Sequence, residues 1–265
     1  MASQSLNLKN MKYTEKYTVN WHDTDANRIA RVGRLVEHLQ ELANRQCESS
    51  GLPLDRLRDE RGLGFILGAL SLKLHLPLRA YDEVELVTWC RPARGYIFNR
   101  YFEIRKDGEL ALSAISTWVI VDVNSKQMVR ISPDDPMHSS FYYDEPISPD
   151  AVPPKARISK DAALFPVGKR RIMYSDIDYN MHMNNTRYPD MICDHLCEMT
   201  DGECAYRVGE MSLSYLKESH LGATLTVLRS EADGDGNILV RTVGEQGDTC
   251  LEAVVRLIPL DRDEL

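Results

Sequence analysis

A short polar stretch in the second half of the chain carries the residue types that acid–base chemistry needs. Carboxylate, amide and imidazole side chains follow one another at the mouth of a predicted helix: Asp176, Asp178, Asn180, His182, Asn184, Asn185 and Tyr188. A carboxylate or imidazole can take a proton from water, and amide N–H groups can stabilise a developing oxyanion. Asp and Asn before a helix are also ordinary capping residues, so a structural interpretation competes with the chemical one.

A weaker copy of this stretch lies in the first half. The pattern Asp-x-Asp-x-Asn recurs at 23–27, at an offset of 153 residues from 176–180. At the same offset, Ile29 takes the place of His182, and an arginine and a valine replace the two asparagines. The chain therefore consists of two related halves, and only the second has kept the full polar set, because Ile29 cannot transfer protons as His182 can.

The residues around each polar stretch predict a strand, a helix and then several strands. In the first half, a strand over 13–21 leads through the turn to a helix whose apolar stripe ends near Gly51. The second half repeats this order, with a helix predicted to carry on one face Tyr188, Met191, Ile192, His195, Leu196 and Met199. Consecutive strands after a long helix favour an antiparallel sheet wrapped around a central helix over a parallel doubly wound fold.

We therefore predict an α+β protein of two such units that pair as a pseudo-dimer, with their sheets meeting edge to edge. Prolines and acidic residues are concentrated between the two halves and indicate a connecting segment. The predicted boundaries are residues 1–135 for the first domain, 136–165 for a Pro-rich linker and 166–265 for the second domain.

Composition narrows the class of protein. The 265 residues are 43% hydrophobic and 27% charged, which is typical of a globular protein rather than a disordered or fibrous one. The formal net charge of −8 argues against nucleic acid and anionic membranes as partners. The absence of a long apolar run and of a signal-like start predicts a cytoplasmic protein without stable membrane insertion. Six cysteines without a C-x-x-C pair suit reduced thiols and predict no metal site.

Basic residues that could steer an acidic partner occur in small groups, and the alternative is that they are solvated surface charges. These groups are Arg91 with Arg94, Lys169 to Arg171, and Arg28 with Arg31 and Arg34.

Longer segments make a family resemblance specific. The string Asp178 to Tyr188 resembles the active-site signature of the fatty acyl-acyl carrier protein (ACP) thioesterases of plants and bacteria, which are tandem hotdog proteins. Residues 35–43 resemble the long helix of that family's first hotdog domain, and residues 118–122 resemble a strand that closes it. The resemblance runs from about Tyr13 to near the C-terminus.

The resemblance implies hydrolysis of fatty acyl-ACP to free fatty acid and holo-ACP, with no cofactor and no metal. It implies that the first domain shapes the acyl pocket, for which the specificity candidates are Leu63, Phe65, Leu67 and Trp89. The partner would be acyl carrier protein bearing a fatty acyl-phosphopantetheine, and homodimers are possible. It also implies a catalytic glutamate in the segment 215–219, where Glu218 occupies that position and Ser219 replaces the family's cysteine.

Residue type suggests a role for each candidate. Glu218 would act as general base on water or as a nucleophile, and Asn180 would donate to an oxyanion or hold the water. His182 would orient Glu218 or polarise the carbonyl, and Asp178 would fix the histidine tautomer. Supporting roles fall to the helix start around Asn184 and Asn185, whose backbone N–H groups face the same place, and to Tyr188.

Three alternatives stay open at this point. The donor could be acyl-CoA, because both donors present the same phosphopantetheine arm. The chain could be a non-catalytic acyl-binding or sensing protein, since hotdog domains also serve as sensors. The third alternative, hydration of an enoyl thioester, is disfavoured by the tandem domains and by the Glu218 segment.

Overall fold

The computed structural model describes residues 12–132, 135, 143–196, 199–200, 203–204 and 206–260. The start of the chain at 1–11 and the part of the predicted linker at 136–142 lie outside the described residues. The first half contains β1 (Tyr13–Thr18), α1 (Val32–Ser49), α2 (Leu54–Arg61), β2 (Leu63–Leu74), β3 (Glu83–Cys90), β4 (Ile97–Lys106) and β5 (Glu109–Asp122). The second contains β6 (Phe165–Arg171), α3 (Arg187–Cys193), β7 (Met199–Thr200), β8 (Glu203–Cys204), β9 (Tyr206–Tyr215), β10 (Thr224–Arg229), β11 (Asn237–Val243) and β12 (Thr249–Pro259). No helix in these ranges is both long and apolar enough to cross a membrane.

Ten of the strands form one continuous antiparallel sheet. Its order is β1-β3-β4-β5-β2-β9-β12-β11-β10-β6, so the second half repeats the first in mirror order about the β2–β9 junction. At that junction Ala69 pairs with Ser214 and Lys73 pairs with Glu210. The predicted pseudo-dimer, with two antiparallel units whose sheets meet edge to edge, is confirmed.

Helix α1 is the central helix of the first unit. Its apolar positions recur with helical spacing, so that one face is buried in the main core through Leu35, Val36, Leu39, Leu42 and Ala43. This face packs against the concave side of the sheet, where β2 and β9 contribute Leu72 and Leu213 to the same core. The core therefore runs without a break from one half into the other.

The helix of the second half is shorter than predicted. Helix α3 has 7 residues, and the predicted extension to Met199 is wrong, because Met199 lies in β7. After Cys193 the chain tightens into i→i−3 turns, in which the N–H groups of His195 and Leu196 bond the carbonyls of Ile192 and Cys193. The following β7–β8 hairpin then requires extended backbone, which ends the helical run.

Helices α1 and α3 contact each other across the pseudo-dimer. The Asp190 carboxylate accepts the Gly33 N–H at 3.2 Å and pairs with Arg31 at 3.1 Å. A Cβ at position 33 would lie 2.4 Å from the same carboxylate, so this close approach requires glycine. Arg187 adds an ion pair with Glu37 at 3.0 Å.

The segment 143–158 crosses the face of the sheet opposite the main core. Serine hydroxyls on the strands bond its carbonyls: Ser212 donates to Pro154 at 2.6 Å and Ser214 donates to Ala156 at 2.8 Å. Because a hydroxyl has one proton, the buried Ser71, 3.1 Å from Ser212, is the donor in that pair. These bonds fasten the connecting segment across the β2–β9 junction.

Replacing Ser212 by alanine should destabilise the fold. The substitution leaves the Ser71 hydroxyl and the Pro154 carbonyl without their partner, and a buried unsatisfied polar group costs about 1–3 kcal/mol. Urea denaturation should show this decrease in the free energy of unfolding. The exposed Ser175→Ala variant is the control and should change that free energy by less than about 0.5 kcal/mol; equal effects from both variants would contradict the assignment.

Candidate active site

The polar stretch of the second half forms a tight turn that folds back on itself. The Asp176 carboxylate accepts the Met173 N–H at 2.9 Å, and the Asp178 carboxylate accepts the Asn180 N–H at 2.8 Å. Met181 has a φ of 65°, which reverses the chain direction. On this turn Asn180 is exposed and His182 is half-buried.

The returning chain places His182 beside the glutamate expected from the 215–219 segment. His182 and His220 form an antiparallel bridge, and the Met183 N–H bonds the Ser219 carbonyl at 2.7 Å. As a result, His182 Nε2 lies 3.1 Å from Glu218 Oε2. The two side chains are 21% and 42% exposed, respectively, so both can meet a substrate that arrives from solvent.

Two neighbours of this pair, His220 and Lys126, act on the pKa of His182. Burial lowers the pKa of His182; Glu218 acts in the opposite direction, and His220 and Lys126 lower the pKa further. Lys126 Nζ lies 3.9 Å from Glu218 Oε1. His182 is therefore held in its neutral form, which can accept a proton or polarise a neighbour.

The first half contributes two cations to this site. Arg58 of α2 donates to Asn180 Oδ1 at 2.7 Å and lies over the Tyr179 ring, 5.5 Å from its centroid. Because Oδ1 is occupied, the Asn180 NH₂ group is the part of the amide that remains available to a ligand. Lys126 reaches Glu218 from the turn after β5.

The strand register explains why these residues meet. Strands β2 and β9 run antiparallel, so the start of β2 lies beside the end of β9. Helix α2 with Arg58 precedes β2, and Glu218 follows β9. The end of β5, just before Lys126, pairs with the start of β2 through Leu63 and Asp122. All three side chains thus lie at the same end of the central strands of the sheet.

Buried hydroxyls hold the Glu218 segment in place. Tyr188 donates to the Ser219 hydroxyl at 3.0 Å, and its ring packs edge-on against Tyr215 at 5.6 Å between centroids. Burial raises the pKa of Tyr188 to about 12, so its hydroxyl stays protonated. Ser219 is 4% exposed, which removes it from the surface where a substrate carbonyl would lie.

Three of the predicted site residues make different contacts from those expected. Among the described residues, the Asp178 carboxylate makes no hydrogen bond to His182, because it accepts from the turn backbone instead. The Asn184 N–H is taken by the Asp176 carbonyl at 2.8 Å, and the Asn184 side chain bonds Thr186. The Asn185 carbonyl accepts the Tyr215 hydroxyl at 3.1 Å. These contacts build the turn rather than touch the His182–Glu218 pair.

The first half has the same backbone geometry without the chemistry. Ile29 bridges Arg79 as His182 bridges His220, and Arg28 has a φ of 60° as Met181 has 65°. Two residues before Arg79 stands Pro77, at the position of Glu218. The first half therefore has neither a histidine nor a glutamate at the positions that correspond to His182 and Glu218.

A cavity of about 50 Å³ lies within the first half. Its lining comes from α1, α2 and β2 to β5 and includes Ala43, Cys47, Leu54, Phe65, Phe98 and Trp118. Of the four predicted specificity residues, Phe65 lines it and Leu63 packs in the adjoining apolar cluster. Leu67 is buried in β2 but is not a lining residue. Trp89 points to the opposite face, where its indole N–H donates to the Glu145 carbonyl at 2.7 Å.

The donor atoms of His182, Glu218 and His220 lie within 4.8 Å of one another, close enough to consider a divalent cation. The ammonium group of Lys126 beside Glu218 opposes a second positive charge at the same carboxylate. This ammonium group therefore disfavours a metal ion at these three side chains.

Sequence reasoning missed Arg58, Lys126 and His220. His220 carried a usable signal, since it lies two residues after Glu218 in the same short segment. Arg58 and Lys126 carried no such signal in the sequence, because they reach the site from the other half of the chain. Four of the basic residues that the sequence analysis named form ion pairs within the chain. These pairs are Arg31 with Asp190, Arg34 with Asp23, Arg91 with Asp144 and Arg170 with Asp176.

Two antiparallel units, each packed on a helix and joined edge to edge, define a tandem hotdog protein. Residues 10–137 match the family model of the acyl-ACP thioesterase N-terminal domain, and residues 165–254 match that of the C-terminal domain. The chain therefore belongs to the acyl-ACP thioesterase family.

Curated relatives and solved structures agree with this family. A chloroplastic acyl-[acyl-carrier-protein] hydrolase of Cuphea viscosissima is 23% identical over 66% of this chain and 45% of its own length. A chloroplastic palmitoyl-acyl carrier protein thioesterase of Gossypium hirsutum is 20% identical over 88% of this chain and 58% of its own length. The chain thus spans about half the length of these relatives.

The fold matches solved structures over nearly their full length. An acyl-ACP thioesterase from Bacteroides thetaiotaomicron superposes with a TM-score of 0.81 at 21% identity, covering 93% of this chain and 98% of that one. The 12:0-ACP thioesterase from Umbellularia californica superposes with a TM-score of 0.80 at 15% identity. The match covers 94% of this chain and 98% of that one. At these identities the likeness establishes the fold.

The pKa of His182 should rise when the charge of Lys126 is removed. The ammonium group disfavours the imidazolium form of His182, so the Lys126→Met variant should titrate His182 at higher pH than the unmodified protein. NMR titration of the histidine ring resonances measures this shift. The control is Lys126→Arg, which keeps the positive charge at the same position, where φ is 59°, and should leave the pKa of His182 unchanged. An unchanged pKa of His182 in the Lys126→Met variant would contradict the assignment.

Proposed function

We propose that this chain hydrolyses fatty acyl-ACP thioesters to free fatty acid and holo-ACP, with the reaction centred on Glu218 and His182. The observation that carries this proposal is the 3.1 Å approach of the His182 imidazole to the Glu218 carboxylate. Family membership supports the substrate class.

Glu218 acts as the general base. It takes a proton from water, the resulting hydroxide oxygen attacks the thioester carbonyl carbon, and a tetrahedral oxyanion forms. The neutral imidazole of His182 orients the carboxylate through its 3.1 Å contact with Glu218 Oε2. When the intermediate collapses, the C–S bond breaks and the thiolate receives a proton.

The NH₂ group of Asn180 is the donor assigned to the oxyanion. Its partner Arg58 fixes the amide so that NH₂ faces away from the guanidinium. In the absence of a hydrogen bond to His182, Asp178 serves to hold the turn that carries Asn180. Asn184, Asn185 and Tyr188 have the supporting role of bracing this turn and the Glu218 segment.

The acyl chain is assigned to the first half. Helix α2 connects cavity and site, because Leu54 lines the cavity and Arg58, one turn later, holds Asn180. The cavity is smaller than usual ligand pockets, which measure roughly 300–1,000 Å³, so a fatty chain requires Phe65 and its neighbours to turn aside.

We retain the domain limits 1–135, 136–165 and 166–265 and the assignment of pocket and catalysis to separate domains as parts of this proposal. Carrier protein is the preferred donor because the family models and the curated relatives name it. Homodimer formation and cytoplasmic location stay predictions, and the plant relatives are chloroplastic.

Glu218→Gln and His182→Ala should each lower kcat/KM for acyl-ACP by at least about 100-fold, since a general base contributes roughly 10²–10⁴-fold. The measurement is free-thiol release from a panel of acyl-ACPs and matching acyl-CoAs, which also reports the preferred chain length. Circular dichroism must show that both variants are folded.

Each result of this panel has a definite meaning. Faster turnover of CoA thioesters would replace carrier protein by CoA as the donor. Acyl binding without turnover of either donor would point to a sensor and overturn the proposal. Folded variants with unmodified turnover would remove Glu218 and His182 from the chemistry.

Arg58→Ala should lower kcat about tenfold or more while changing KM less, because Asn180 loses the contact that aims its amide at the transition state. The matched control is Arg56→Ala on the same helix, whose exposed side chain pairs with Glu60. Steady-state kinetics on acyl-ACP separates the two variants. A rise in KM with an unchanged kcat for Arg58→Ala would contradict a positioning role.

A further inference from the structure

We propose that His220 is a further catalytic residue of this site and donates the proton to the departing thiolate. This inference rests on the proposed thioester hydrolysis. It assigns the one proton-transfer step that Glu218 and His182 leave open.

The position of His220 allows direct contact with the reacting atoms. Its ring lies edge-on to that of His182, with centroids 4.8 Å apart and the planes inclined by 69°. The donor atoms of His182, Glu218 and His220 all lie within 4.8 Å of one another. An atom at the centre of a triangle of that size lies roughly 3 Å from each corner, which is hydrogen-bond reach. The reacting group thus fits between the three side chains.

Exposure places His220 on the side from which sulfur must arrive. The carrier protein is too large to enter the fold, so the phosphopantetheine arm approaches from solvent while the acyl chain points inward. Glu218 and His220 are exposed, whereas His182 is half-buried. The outer imidazole therefore meets the thioester sulfur before the inner one does.

The neighbouring groups are less suited to this step. Burial and its cationic neighbours lower the pKa of His182, which disfavours the imidazolium form that would have to donate. Lys126 contacts the other oxygen of Glu218, Oε1, while His182 contacts Oε2. An imidazole has two ring nitrogens that can donate or accept a proton, so the side chain of His220 is able to do both.

The first half offers an internal comparison. Arg79 holds the position of His220 there, and a guanidinium does not give up its proton in proteins. The same half has Ile29 and Pro77 at the positions of His182 and Glu218. A side chain that exchanges protons thus occurs at this position in the half that also has the glutamate.

The proton balance closes with these groups. Water gives one proton to Glu218 as its oxygen bonds to the carbonyl carbon. On collapse, the C–S electron pair moves to sulfur, and imidazolium at His220 supplies the proton that makes the free thiol. Glu218 returns its proton through solvent to His220, and the fatty acid product ionises.

The test compares leaving groups in the full chain. His220→Gln should lower kcat/KM about 10- to 100-fold for an acyl-pantetheine thioester, at or below the usual contribution of a general acid because a thiolate leaves readily. For an acyl p-nitrothiophenol thioester, whose leaving thiol is much more acidic, the loss should disappear. Added imidazole should restore the activity of the His220→Gly variant on the acyl-pantetheine substrate.

The control is His22→Gln, an exposed histidine of the first half, which should behave as the unmodified protein on both substrates. Equal losses on both leaving groups, or no loss on either, would overturn the role of His220 while leaving hydrolysis intact. No turnover by the unmodified protein would instead refute the proposed function itself.

Discussion

The antiparallel pairing of β2 with β9 is the constraint on which the candidate site depends. It joins two half-sheets into one and fixes which strand ends are neighbours. Because β2 starts where β9 ends, Arg58 from the preceding helix and Glu218 from the following loop converge at the same end of this central strand pair. Lys126 joins them through the pairing of β5 with β2. A slip of this register by one residue would exchange the faces of both strands and disperse the site.

The two halves show how one backbone geometry supports different tasks. Both have the same turn, with Asp25 and Asp178 each accepting an N–H two residues later at 2.8 Å. In the second half the turn carries His182 opposite Glu218, whereas in the first it carries the buried Ile29. The first half instead contains the cavity next to α2. The proposed division of acyl pocket and chemistry between the halves therefore rests on different side chains on a shared backbone geometry.

Much of this organisation was predictable because it rests on local patterns. The internal offset of 153 residues, the stripe of α1 and the strand order indicated two paired antiparallel units. The length of α3 was not predictable, because the apolar spacing continues beyond Cys193 while the β7–β8 hairpin ends the helix. Arg58 and Lys126 were missed for a different reason: their contacts join the two halves of the chain, and periodicity within one half does not report them.

The most direct test is a crystal structure of the chain with a non-hydrolysable acyl-pantetheine amide. The account predicts the amide carbonyl beside Asn180, His182 and Glu218, with the acyl chain entering the first half past Phe65. A ligand seated instead at the turn of the first half, around Ile29, would contradict it.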